Sequence, residues 1–180
     1  MFLYEPIGLD LSLTSTGIAY EEQTAVLSTT TIGPERLVAL RNKIMRVVLG
    51  VSNPCVFVEG YSFASRNSHA HALGELGGVV RVALWEADVP FVDVPPTVRA
   101  KFATGRGNAS KSEVVSAVSA RTGIVWDGKG ADDRCDAWIL QEIGYAGHGR
   151  ARFLWPAHNQ EALEKIAWPA GRRKGEPSHG

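Results

Sequence analysis

Asp10 lies in Ile7-Gly-Leu-Asp-Leu-Ser-Leu-Thr-Ser-Thr-Gly-Ile-Ala-Tyr20, a run otherwise made of β-favouring, mostly apolar residues. A charge in a strand of buried type is expensive unless something pairs or coordinates it. Strand alternation puts Leu9 and Leu11 on one face and Asp10 with Gly8 and Ser12 on the other. Any fold built around this stretch must therefore bring partners to one face of a sheet. The downstream chain offers Glu59, which closes the apolar run Cys55-Val-Phe-Val-Glu59, and then Asp132, Asp133 and Asp136 at the start of a helical pattern. Asp133 and Asp136 are three apart, on adjacent turns of one helix face. Asp132 points elsewhere and suits the helix N-terminal dipole equally well.

Convergence of Asp10, Glu59, Asp133 and Asp136 on one cavity would make an all-oxygen site. Such donors select Mg²⁺, or Mn²⁺ as a substitute, over Zn²⁺. Several carboxylates around one cavity suit two ions about 4 Å apart, one activating a water and one stabilising a leaving 3′ oxygen. That chemistry is metal-dependent phosphodiester hydrolysis, and it needs no protein nucleophile. Taken singly, each residue has an ordinary reading: a strand Asp as a hydrogen-bond partner, Asp133 as a helix cap. The conjunction points to a nuclease.

The elements around these residues follow from periodicity. Residues 7–13, 17–20 and 25–32 read as three antiparallel strands joined by short turns. Gly33-Pro34 breaks the pattern, and Pro34 suits the first turn of a helix. Leu37, Leu40, Ile44, Val47 and Val48 carry that helix to about residue 49. Residues 55–59 read as a buried parallel strand, 70–87 as a helix, 89–94 as a fifth strand and 97–103 as a short helix. Gly74, Gly77 and Gly78 are unusual inside a helix and suggest close packing against another one. Ser110 caps a helix running to Arg121, with Glu113 in the capping-box position, and 131–145 forms the last well-supported helix. The order predicts an α/β fold: a mixed five-stranded sheet, three antiparallel strands then parallel ones, with helices on both faces.

At 180 residues the chain has length for one domain. We place that domain at 1–148, followed by a basic, Gly- and Pro-rich extension over 149–180, with 150–158 packing back and 170–180 disordered. No apolar run approaches the ~18 residues of a membrane span, and the N-terminus lacks signal-peptide character. Cys55 and Cys135 have no metal-site spacing and read as buried free thiols. A cytoplasmic protein is expected, and codon-linked composition (Ala, Arg and Trp with few Lys) suggests a bacterial or phage source. The zero net charge argues against a simple DNA-coating protein. Arg99, Lys101, Arg106 and Lys111 nevertheless cluster in a stretch nearly free of acids. They could form a phosphate-binding strip, which would position DNA without reading its sequence, or simply a solvated loop.

The sequence resembles the RuvC family of Holliday-junction resolvases, which have a ribonuclease-H-like fold. The resemblance is carried by 7–19, Val56-Phe-Val-Glu59, Leu73-Gly-Glu-Leu-Gly-Gly78, Thr104-Gly-Arg-Gly-Asn-Ala-Ser-Lys111 and Ala131-Asp-Asp-Arg-Cys-Asp-Ala-Trp138, in family order over about residues 5–146. It implies that Asp10, Glu59, Asp133 and Asp136 are the catalytic metal ligands and that Lys111 stands beside the scissile phosphate. It also implies a homodimer that nicks two opposed strands of a four-way junction, and activity on other branched DNA such as flaps and forks fits the same chemistry. Two departures matter. The family's second lysine falls at Ala100, flanked by Arg99 and Lys101, either of which could serve. The family's aromatic wedge falls at Ser62, between Tyr61 and Phe63; Phe63 is the first choice for stacking on a junction base and Tyr61 the next, with ordinary core as the other reading. Arg66 could reach DNA from the same loop, whereas His69 and His71 read as surface residues.

Two other functions share parts of this pattern. An actin-like or sugar-kinase-type ATP-binding phosphotransferase uses a similar first hairpin, but it needs a second such domain and a second phosphate hairpin. A non-catalytic junction binder would have no need of an intact carboxylate set.

Overall fold

The protein is described by a computed structural model over residues 4–60 and 68–169, with backbone alone for 68–73. The strands are β1 (Glu5–Asp10), β2 (Thr16–Tyr20), β3 (Gln23–Leu27), β4 (Pro54–Glu59) and β5 (Phe91–Val94). The helices are α1 (Gly33–Val48), α2 (Ser68–Glu86), α3 (Pro96–Thr104), α4 (Lys111–Thr122), α5 (Ala131–Gly147) and α6 (Ala157–Gln160), the last running into a 3₁₀ turn at Glu161–Lys165. The sheet order is β3-β2-β1-β4-β5. β1 pairs antiparallel with β2, and β2 with β3; β4 lies parallel to both β1 and β5. This is the mixed sheet expected from the element order.

Alternation divides the core into two layers. Ile7, Leu9, Ile18, Val56 and Val58 pack with Leu40, Ile44 and Val48 of α1 and Leu76, Val80 and Leu84 of α2. On the opposite face Ala19, Cys55, Phe57, Val92 and Val94 pack with α3, α4 and α5. Each fully buried large apolar side chain contributes roughly 1.5–3 kcal/mol of transfer free energy, so the alternation fixes which face every polar residue of β1 and β4 must take. Cys55 and Cys135 are buried and unpaired, as expected. Among the described residues no helix is long and apolar enough to cross a membrane.

Several boundaries differ from the sequence expectation. β1 stops at Asp10 rather than running to residue 13, so Asp10 closes its strand instead of lying within it. Thr16 is the cause: its Oγ1 donates to the Ser12 carbonyl at 2.6 Å and accepts from the Ser12 amide at 3.0 Å, which folds 12–16 into a turn. β3 ends at Leu27 rather than 32. A Cβ added at Gly74 or Gly78 would meet no described atom within 4 Å, so these glycines are not points of close helix packing within the described chain. The α4 capping box is present as expected: Ser110 Oγ accepts from the Glu113 amide, and the Glu113 carboxylate accepts from the Ser110 amide at 2.7 Å. Residues 150–169 pack onto the body, with Trp155 stacked on Phe102 at 4.4 Å between ring centroids and Asn159 Nδ2 donating to the Phe102 carbonyl at 2.7 Å. The expectation for 170–180 lies outside the described residues.

Candidate active site

Parallel pairing of β1 with β4 sets Leu9 opposite Val58, so the next residues, Asp10 and Glu59, close the two central strands side by side. Both belong to the sheet face covered by α5, because Gly8 faces α5 on one strand and Phe57 packs beside it on the other. α5 brings Asp136 to the same end. Asp10 and Asp136 are buried.

Arg99 joins them. Its Nε donates to Glu59 Oε1 at 2.6 Å and its Nη1 donates to Asp136 Oδ1. Lys111, at the first position of α4, reaches Asp132 Oδ2 at 3.3 Å and lies 4.0 Å from Asp136 Oδ2. Three of the expected carboxylates, Asp10, Glu59 and Asp136, and Lys111 thus share a single electrostatic neighbourhood. Asp133 is engaged elsewhere, accepting from the Ser15 hydroxyl in the turn after β1. Lys101 pairs with Glu161 at 2.8 Å, and Arg106 with Glu113 at 2.6 Å. The basic residues of 99–111 thus have three different sets of acidic partners. Tyr61, Phe63 and Arg66 lie outside the described residues.

The proton affinities record the crowding. Burial, with Glu59 and Asp136 adding, holds the Asp10 carboxyl well above its usual range against the opposing pull of Arg99 and Lys111. Burial likewise lifts Asp136 to about 6, with Glu59 and Asp132 adding and Arg99 and Lys111 opposing. Burial works against the Lys111 ammonium, but Asp136, Asp10 and Asp132 together raise its pKa above the usual value. Negative charge is in excess at this end of the sheet.

The donor set fits hard divalent cations. Asp10, Glu59 and Asp136 offer oxygen alone, and no described residue donates a hydrogen bond to the Asp10 carboxylate. As the side chains stand, no three of the described Asp, Glu, His and Cys side chains close on one point; the Arg99 guanidinium stands among them instead. Sequence reasoning placed Arg99 in a phosphate strip or in the place of the family's second lysine; its pairing with Glu59 and Asp136 is the further finding. The helical spacing held the signal, because Arg99 shares the inward face of α3 with Phe102 and Ala103. Ser15 was missed, and a serine in a small-residue turn carries no signal of its own.

A parallel-edged mixed sheet with carboxylates ending its two central strands and a third on the crossing helix defines a protein of the ribonuclease-H-like class. Within that class the chain is similar to RuvC proteins. It aligns at 32% identity over 85 residues with the crossover junction endodeoxyribonuclease RuvC of Sorangium cellulosum, covering 47% of this chain and 48% of that one. It aligns at 28% over 115 residues with that of Carboxydothermus hydrogenoformans, covering 64% and 72%. The chain thus spans about half the length of the first relative. The Thermus thermophilus RuvC structure matches with a TM-score of 0.62 at 26% identity, covering 83% of this chain and 99% of that one. T. thermophilus RuvC in complex with Holliday junction substrate matches at 0.64 and 25%, covering 84% and 100%. No family model matches the chain.

Proposed function

We propose that the chain is a divalent-metal-dependent endonuclease that cleaves four-way DNA junctions, with flaps and forks as further substrates, and that it acts as a homodimer. The observation that carries this reading is the grouping of Asp10, Glu59 and Asp136, from two strand ends and a helix, at one end of the sheet, where Arg99 bridges Glu59 and Asp136 and negative charge is in excess. The RuvC relatives and the T. thermophilus junction complex support the choice of substrate.

Asp10, Glu59 and Asp136 would hold Mg²⁺ or Mn²⁺, with Asp133 joining them when it leaves Ser15. Two such ions, when bound, supply an activated water and offset the charge that grows on the phosphate and the leaving oxygen. The protein does the rest by placement. Burial of Asp10 and Asp136 keeps water from screening the site. Lys111 is held over Asp136 while its side chain stays largely solvent-accessible, which suits a cation meant to face a phosphate oxygen. Arg106, exposed in the loop before α4, would contact the DNA backbone.

The test is a cleavage panel on synthetic four-way junctions, flaps, forks and duplex, with Mg²⁺ and Mn²⁺, comparing wild type with Glu59→Gln. Metal-dependent nicking of branched substrates by wild type alone is expected. Cutting of plain duplex at the same rate would remove the structure selectivity, and junction binding without cutting in either metal would favour a non-catalytic binder.

A further inference from the structure

Arg99 is among the most buried charged side chains of the fold, only 8% exposed, and it sits at the centre of the acidic site. A side chain meant to meet DNA phosphate in this state would be open to solvent, as Lys111 is. Arg99 instead spends its fork inward, with one arm on Glu59 at the end of β4 and the other on Asp136 in α5. It reaches them from α3, so one guanidinium ties three elements together across the mouth of the site.

The charge count is incomplete with Arg99 alone. It is one positive charge facing Glu59 and Asp136 directly, with Asp10 beside them receiving no hydrogen bond from a described residue. The oxygens it occupies, Glu59 Oε1 and Asp136 Oδ1, are those a divalent cation would need. A guanidinium is always charged and cannot leave by losing its proton. It can vacate these oxygens only by moving.

We propose that Arg99 is a tethered counter-cation: it holds the carboxylates together in the metal-free protein and yields Glu59 when a divalent ion enters. Arg99 is a positioning residue in this scheme. It prevents mutual repulsion from splaying the site open, and it makes metal entry a competition. A cation that binds only the Arg99-released form binds more weakly by the fraction of molecules in that form. The inference rests on the metal-dependent reading given above.

Two measurements test it, neither depending on turnover. Mn²⁺ binding, followed by the electron paramagnetic resonance of the free ion, is compared for wild type, Arg99→Lys and Arg99→Gln. Arg99→Gln is expected to bind Mn²⁺ at least tenfold more tightly. Arg99→Lys, which keeps the charge and loses the fork, should fall between. In the same proteins the Arg99 Nε–H resonance, assigned by its absence from Arg99→Lys, is followed by ¹⁵N NMR during Mg²⁺ titration of wild type. It should be a hydrogen-bonded, slowly exchanging signal without metal and lose that protection at saturation. Equal or weaker Mn²⁺ binding by a folded Arg99→Gln would overturn the proposal, as would an Nε–H signal unchanged while Mg²⁺ displaces bound Mn²⁺. The NMR arm uses wild type and decides the matter if Arg99→Gln does not fold. Absence of Mn²⁺ binding by wild type, Arg99→Lys and Arg99→Gln alike would defeat the metal reading itself, and with it this proposal.

Discussion

Gly8 in β1 lies directly under the backbone of Ala137 in α5. A Cβ added at Gly8 would fall inside the Ala137 carbonyl oxygen's contact radius and 2.6 Å from the Gln141 amide nitrogen. Gly17 in β2 stands in the same relation to Asp133, with the carbonyl carbon 2.6 Å from the added atom. The two glycines let α5 settle onto the sheet, and that depth is what brings Asp136 to the strand ends carrying Asp10 and Glu59. Gly8→Ala must push backbone rather than a flexible side chain. It is expected to cost about 3 kcal/mol or more and to lower divalent-metal affinity along with the melting temperature. A variant with wild-type melting and metal binding would show that this contact does not set the site.

Lys111 makes a different kind of contribution. Its pair with Asp132 is solvent-exposed on both sides, and such pairs are worth at most about 1 kcal/mol. Lys111→Ala should therefore melt close to wild type. Its junction-cleavage rate should fall by about 10²-fold or more, the scale of removing one preorganised charge-stabilising group, with junction affinity reduced far less. Equal losses in binding and cleavage would make Lys111 a general backbone contact.

The buried carboxyls set a pH dependence of the metal-free protein. Asp136 titrates at about 6 in the fold against a usual 3.8, and Asp10 is shifted in the same direction. Between those values the folded chain holds protons that the unfolded chain has released, so stability falls as pH rises through roughly 4 to 6, by at most about 3 kcal/mol from Asp136. Glu113 is lowered to about 2 by its hydrogen bonds with Ser110, with Arg106 adding; its contribution is lost only as pH drops below the usual 4.5 and lies at the edge of this window. Without metal, the melting temperature should rise on acidification from pH 7 to 5, and Asp136→Asn should flatten the slope. A slope that survives in Asp136→Asn would assign it to other groups.

The segment after α5 supports α3, and through α3 it supports Arg99. Arg152 pairs with the fully buried Glu142 and donates to Gln141 Oε1 at 3.0 Å, while Trp155, Asn159 and Glu161 hold Phe102 and Lys101. Truncation after residue 148 strands the Glu142 carboxylate and strips an aromatic from the core. Each loss is expected to cost about 3–5 kcal/mol, so the shortened chain should melt far below the full one in thermal unfolding. A truncated chain as stable as the full one would make 149–180 an appendage.

Much of this architecture was legible in the sequence. Alternation in β1 and β4 and the 3–4 spacing in α1 and α5 depend on burial alone, and burial leaves a periodic trace. The convergence of Asp10, Glu59 and Asp136 was legible because a carboxylate at an apolar strand demands a partner. Strand ends were less so: β1 stops at Asp10 because Thr16 hydrogen-bonds back to Ser12, a local choice with no periodicity. The burial of Arg99 was not legible, because a basic residue among basic neighbours looks solvated until the helix is turned and its face is seen. The Asp133–Ser15 contact and the 157–165 turns depend on tertiary neighbours more than 100 residues away or on short irregular segments, which leave no pattern.

The most direct test is paired binding and cleavage of one synthetic four-way junction by wild type and Asp10→Asn in Mg²⁺. Wild type should nick opposed strands, and Asp10→Asn should bind the junction with nearly unchanged affinity and leave it uncut. Full cleavage by Asp10→Asn would contradict the account, because the buried carboxylate on which the site is built would then have no part in the chemistry.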